Sequence, residues 1–211
     1  MSSPTTLSHV AAPGAKTRGR PRAFDEAEVL DKLVELFWEQ GYEAASMSDI
    51  VDAAGLNKSS LYNAFGSKDE LFYTVLDRYI TDKEAMLHEA LAEGGIDSLV
   101  AFFEMQREMM LSTIGCRGCM AVNASTELGL RDPRMAEVAD RYRTMLRESI
   151  RRPLAWSAER GEVEPTLVDA YTESLVSAMF GMSVSARSGA GTDELERLLD
   201  SMVLLIKSWK R

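Results

Sequence analysis

Lys58-Ser59-Ser60-Leu61-Tyr62-Asn63 places a lysine, two hydroxyls, a phenol and an amide on a stretch whose apolar members, Leu61 and Phe65, are four residues apart. On a helix that spacing turns Leu61 and Phe65 inward and leaves the polar side chains outside. Such a face has the chemistry to hydrogen-bond base edges and phosphates. Lysine at the helix start can donate to the O6 and N7 acceptors of guanine, and Ser59, Ser60 and Asn63 are short enough for base or backbone contact. Ser46 and Ser48 open the preceding helix and could meet a phosphate through a hydroxyl and free amides. A second group of donors lies upstream in Arg18-Gly19-Arg20-Pro21-Arg22. This is an extended, proline-stiffened run with the composition of an AT-hook core, whose arginines suit a narrow, A·T-rich minor groove. Its plainer alternative is a charged tail that only screens phosphates.

Cys116-Arg117-Gly118-Cys119 could do thiol chemistry. Zinc binding fails for want of ligands, since the two histidines, His9 and His88, lie elsewhere. A thioredoxin-like catalytic pair fails because no strand precedes it. A thiol or electrophile sensor remains open, with Arg117 favouring thiolate, beside the simpler reading of two small buried side chains. No catalytic residue, cofactor or metal is assigned.

The elements that must hold these groups follow from caps and periodicity. Asp25 with Glu28 starts a first helix with the stripe Val29, Leu30, Leu33, Val34, Phe37 and Trp38, ending at Gly41. Ser46 with Asp49 forms a capping box for a short second helix carrying Ile50, Val51 and Ala54, which Gly55 stops. Asn57 caps the helix of Lys58–Phe65. Ser67 with Glu70 opens a long helix to about Ala92, stopped by Gly94-Gly95. Further helices are expected from about Ile96 to Thr113, Cys119 to Leu128, Pro133 to Arg160, Pro165 to Arg187 and Thr192 to Trp209. Pro153 should bend or split one of them. No period-two segment stands out, so the chain reads as all-α, with about nine helices. Two short helices joined by a glycine turn, the second polar outside, match a helix-turn-helix reader of the major groove.

Phe24 to Phe72 closely resembles the DNA-binding domain of the TetR family of bacterial transcription regulators. The likeness is carried by Leu33…Phe37…Gly41-Tyr42…Ser46-Met47…Ile50-Val51…Ala53-Ala54-Gly55-Leu56…Ser59-Ser60-Leu61-Tyr62…Phe65…Ser67-Lys68…Leu71. It implies a homeodomain-like three-helix unit over 24–72, behind a disordered basic arm at 1–23, and an effector-binding and dimerisation domain over 73–211. It also implies that the Tyr62 hydroxyl binds phosphate, that Lys68 anchors the DNA backbone, and that the last two helices pair with their mates as a four-helix bundle. The remaining two thirds has the family's helical texture without a motif, so fold is implied there and ligand is not.

The dimer candidates are Tyr171, Leu175, Ala178, Met179 and Met182 on one helix, with Leu195, Leu198, Leu199, Met202, Leu205, Ile206 and Trp209 on the next; at least half must serve the protomer's own core. The interior is rich in methionine, a flexible filler suited to an adaptable pocket: Met86, Met105, Met109, Met110, Met120, Met145, Met179 and Met182, with Phe102, Phe103 and Trp156. The candidate ligand-binding set is Phe102, Met105, Met109, Cys119, Met120, Asn123, Glu127, Met145, Met179 and Met182. Among these, Asn123 and Glu127 could orient an effector, bond neighbouring helices or face solvent.

The net charge of −9 looks wrong for a nucleic-acid binder until it is divided by region. Residues 1–24 carry Lys16, Arg18, Arg20 and Arg22 and no acid, and between Ala53 and Lys68 there are lysines and no acid. Local sign prevails, because phosphate attraction decays within a Debye length, ~10 Å at moderate salt. No apolar run approaches the ~20 residues that span a bilayer, and no hydrophobic signal region opens the chain, which points to a cytoplasmic, nucleoid-associated protein. The expected activity is transcriptional regulation as a homodimer on a palindromic double-stranded operator, most simply repression relieved by a small, largely apolar effector. Two rivals are a thiol-redox or thiol-sensing protein using Cys116 and Cys119, and an architectural DNA binder blind to ligands.

Overall fold

The computed structural model describes residues 24–112 and 117–211, and the described residues are helical with no strand. Helix α1 (Glu26–Gln40) begins where the Asp25 carboxylate accepts the amides of Ala27 and Glu28. Glu28 does not complete a capping box; its carboxylate turns to Lys32 at 2.7 Å. Helices α2 (Met47–Ala54) and α3 (Lys58–Phe65) meet at Gly55, whose φ of 65° lies in the left-handed region that a side chain disfavours. Helix α4 (Lys68–Ala90) carries a full Ser67–Glu70 capping box and leads out of this unit into the second.

Val29, Leu33, Phe37, Ile50, Ala54, Leu61, Phe65, Leu71 and Phe72 form the apolar centre of the N-terminal helices. The edge-to-face pair Phe37–Phe72, 5.1 Å between ring centroids, ties α1 to α4.

The larger unit adds α5 (Gly95–Met110), α6 (Met120–Leu128), α7 (Pro133–Glu159), α8 (Val168–Arg187, entered through a 3-10 turn at Pro165–Leu167) and α9 (Thr192–Ser208). Pro153 does not split α7, which runs through it as one helix. Its ring is buried, and Ile150, Leu154 and Ser157 around it are fully enclosed, so packing holds the turn that lost its donor. The apolar stripes of the last two helices divide. Leu175, Met179, Met182, Leu195, Leu199, Ile206 and Trp209 are buried within the protomer, with Trp209 stacked flat on Tyr171 at 3.9 Å. Val184, Leu204 and Leu205 remain outside, Leu204 at 68% exposure.

Candidate nucleic-acid interface and effector cavity

Helix α3 owes its orientation to its two buried residues. Leu61 and Phe65 are held in the core, so Lys58, Ser59, Tyr62 and Asn63 emerge on the opposite side, with Ser60 half-buried at the edge. The Asn57 side chain accepts the Ser60 amide at 2.8 Å, and no acid occupies the first turn. An outward-facing helix start with a lysine and no competing carboxylate is electrostatically suited to an anion. Lys58 leans toward Tyr62, 5.8 Å from its ring centroid, so the cation and the phenol share one patch.

At the start of α2, Ser46 Oγ accepts the Asp49 amide at 3.2 Å while the Ser46 amide donates to Asp49 Oδ2 at 2.9 Å. The Ser46 amide is therefore spent on the cap. What remains for a phosphate is the first-turn amides of Met47 and Ser48, with Ser46 and Ser48 both exposed. The hydrogen bonds from Ser46 hold the Asp49 carboxyl below its ordinary pKa.

Lys68 is half-buried, its ammonium over the Tyr42 ring at 4.5 Å. Tyr42 in turn donates its hydroxyl to Asp69, and burial followed by that hydrogen bond pushes the phenol up to about 12. Tyr42 thus positions Lys68, a role its place in the sequence did not reveal. Arg18, Arg20 and Arg22, with the whole basic arm, lie outside the described residues.

A cavity of about 70 Å³ lies between the units and inside the second. Of the candidate ligand residues, Met109, Cys119, Met179 and Met182 line it; Phe103 and Met110 from the wider methionine-aromatic set do so as well. Phe102, Met105, Met120 and Met145 do not. Phe102 and Met120 are buried in the surrounding core, because α5 and α6 turn their neighbours Phe103, Met110 and Cys119 to the opening instead. Asn123 also stands off the cavity, donating to the Arg117 carbonyl at 2.8 Å. Trp156 is 42% exposed and stacks under Arg160 rather than joining the interior.

Glu127 does structural work at the boundary. Its carboxylate accepts the amides of Tyr42 at 3.1 Å and Glu43 at 2.8 Å, capping the turn between α1 and α2 from α6. Sequence spacing could not find this, since the partners are more than eighty residues away. Trp38 makes a second bridge. Its indole lines the cavity and donates to the Gly118 carbonyl at 3.1 Å, and its own carbonyl accepts from Arg187 at 3.3 Å. Arg117 adds ion pairs to Glu35 at 2.5 Å and Glu39 at 3.5 Å.

Cys119 is buried, with Sγ 3.2 Å from the Tyr142 hydroxyl and 3.5 Å from that of Tyr79. Cys116, its partner in the thiol-pair reading, lies outside the described residues. None of the described helices is long and apolar enough to cross a membrane.

Residues 29–75 match the family of bacterial regulatory proteins named for tetR. Over 195 residues the chain is 35% identical to the transcriptional repressor ComR of Escherichia coli K12, covering 90% of this chain and 92% of that one. A TetR regulator from Chloroflexus aurantiacus superposes with a TM-score of 0.77 at 25% identity, covering 88% of this chain and 95% of the other. CifR, solved with a 26-base-pair operator duplex, gives 0.74 at 25% identity over 88% of this chain and 98% of its own. With its outward-facing third helix and its long helical second unit, this chain belongs to the TetR family of bacterial transcriptional regulators.

Proposed function

We propose that this regulator is a homodimeric repressor whose two α3 helices read a palindromic operator and whose cavity binds the effector that releases it. The observation that carries this reading is α3 itself: a capped helix with Leu61 and Phe65 buried behind it and Lys58, Ser59, Tyr62 and Asn63 free in front. In this reading Lys58, Ser59, Ser60 and Asn63 face base edges, while Ser46, Ser48, Tyr62 and Lys68 hold phosphates. Arg18, Arg20 and Arg22 extend the contact into the adjacent minor groove. The DNA-reading unit spans 24–72 and the sensing and pairing unit 73–211. Repression agrees with ComR, a transcriptional repressor, and operator binding with the CifR complex.

Pairing through α8 and α9 is supported by Val184, Leu204 and Leu205, apolar side chains that the protomer leaves exposed. Coupling is supported by Trp38, which touches the cavity and the 117–119 segment while belonging to the first DNA-unit helix. An effector that displaces Trp38 or Cys119 shifts α1 against α6 and with it the spacing of the two α3 helices. A hundredfold preference for the released conformation supplies about 2.7 kcal/mol of coupling.

Selection of bound duplexes from a random pool, followed by footprinting, tests the reading. Two inverted half-sites about one helical turn apart are expected, bound by a species of twice the chain mass in light scattering. Replacing Leu204 and Leu205 together by glutamate should give monomers with at least tenfold weaker operator binding. A wild-type monomer, or a pool that yields no preferred sequence, overturns it.

A further inference from the structure

Lys83 enters the cavity wall from α4 among apolar neighbours, and no hydrogen bond or ion pair engages its ammonium among the described residues. Loss of hydration there draws its pKa below that of an ordinary lysine. The acids that line the outer groove with it are committed elsewhere. Asp31, Glu35 and Asp82 line the shallow groove just outside, of about 350 Å³, and each is paired with an arginine: Asp31 and Asp82 with Arg78 at 3.2 and 2.9 Å, Glu35 with Arg117 at 2.5 Å. Lys83 is half-buried between the cavity and the groove, and a partly dehydrated ammonium without a counterion among the described residues is costly to keep, a cost that an arriving anion removes.

One of the cavity's other polar groups can also turn a donor to a ligand. The Tyr79 hydroxyl accepts the Met120 amide at 3.3 Å and sits 3.5 Å from Cys119 Sγ. When the Cys119 thiol donates to Tyr142, 3.2 Å away, the Tyr142 hydroxyl proton is free for a ligand. Everything else in the wall is hydrocarbon, aromatic or thioether except Gln106 and Ser183. Ser183 donates to the Met179 carbonyl of its own helix and so is already satisfied.

Resting on the repressor-with-effector reading, we propose that the effector is a small apolar carboxylic acid. Its carboxylate pairs with Lys83 and accepts from Tyr142, and its hydrocarbon part lies against Phe103, Met109 and Met179. A cationic ligand would meet the Lys83 charge, and a neutral one would leave it unpaired. The 70 Å³ of free space exceeds the ~10–15 Å³ that holds one water and falls well short of the ~300 Å³ of drug-sized sites. A short aliphatic or single-ring acid fits that scale, with the methionines yielding around it. The route in is drawn by the walls that the outer groove and the cavity share, namely Trp38, Tyr79, Lys83 and Met109.

The test is calorimetric titration of the full-length protein with hexanoate and benzoate against hexanamide and benzamide, which match them in shape without the charge. The acids should bind at least tenfold tighter than the amides. Lys83→Met should erase that preference while leaving amide binding and the ligand-free melting temperature no lower than wild type, because it removes a half-buried charge that has no counterion among the described residues. Lys83→Arg should retain the preference. Equal binding of acids and amides, an acid preference that survives Lys83→Met, or no binding of any of the four compounds overturns the proposal. Operator affinity of the same ligand-free preparations is measured alongside, so that a failure to bind DNA is counted against the repressor reading and not against the acid.

Discussion

The surface proposed to face DNA and the cavity proposed to hold an effector both set a few polar groups on an apolar frame, but they are assembled over very different sequence distances. Across α2, α3 and α4 every helix start is closed by a residue three positions away: Ser46 with Asp49, Asn57 with Ser60, Ser67 with Glu70. The cavity takes Trp38 from α1, Tyr79 and Lys83 from α4, Phe103 and Met109 from α5, Tyr142 from α7 and Met179 from α8. A local design tolerates change at one residue by adjusting one turn. A convergent one passes any change on to its neighbours, which is what a sensor requires.

Two glycines with nearly the same φ break or uphold this contrast most directly. Gly55 has φ 65° with nothing within 4 Å of where a Cβ would stand. Gly118 has φ 68°, and a Cβ there would lie 2.5 Å from the Ser183 carbonyl oxygen on α8. Gly118→Ala should therefore cost roughly 2–4 kcal/mol of stability, combining left-handed strain with overpacking, while Gly55→Ala costs about 1 kcal/mol of strain alone. Urea unfolding of both variants measures the difference, and equal losses would remove the distinction.

Glu127→Ala comes next. It strips the Tyr42 and Glu43 amides of their acceptor, at about 2 kcal/mol, and should loosen the joint between the units. Operator affinity should fall, and the ligand-dependent change in affinity should shrink; an unaltered ratio of bound to released affinity would show that coupling runs through Trp38 alone.

Within the DNA surface, Lys58→Ala should weaken binding by about 1–3 kcal/mol and relax preference at one or two base pairs. Tyr62→Phe should lose about 1 kcal/mol on every sequence alike. Competition binding with operator and scrambled duplexes separates the two behaviours.

The smallest expected effect concerns Tyr42. Its phenol is raised to about 12 by burial and by its hydrogen bond to Asp69, so the folded form holds its proton more tightly than the unfolded chain does. That contribution is complete below the unfolded tyrosine pKa of ~10 and is lost as pH climbs from there toward 12. A wild-type alkaline titration followed by tyrosinate absorbance should show this step, and Asp69→Asn should move it to lower pH.

The sequence by itself determined the helices, the caps of α2, α3 and α4 and the outward face of α3. Those depend on hydrogen bonds and periodicities that span at most a few residues, so the chain carries them in readable order. It also determined that methionines and aromatics would fill the second unit, but not which of them would meet the opening. Phe102 and Phe103 are adjacent and both buried, and only the packing of α5 against its neighbours turned Phe103 toward the cavity. The tertiary structure alone made Glu127 the cap of a distant turn and left Lys83 without a counterion among the described residues. Both outcomes depend on which groups converge in space, and charge pairing across a folded interior obeys distance, not order along the chain.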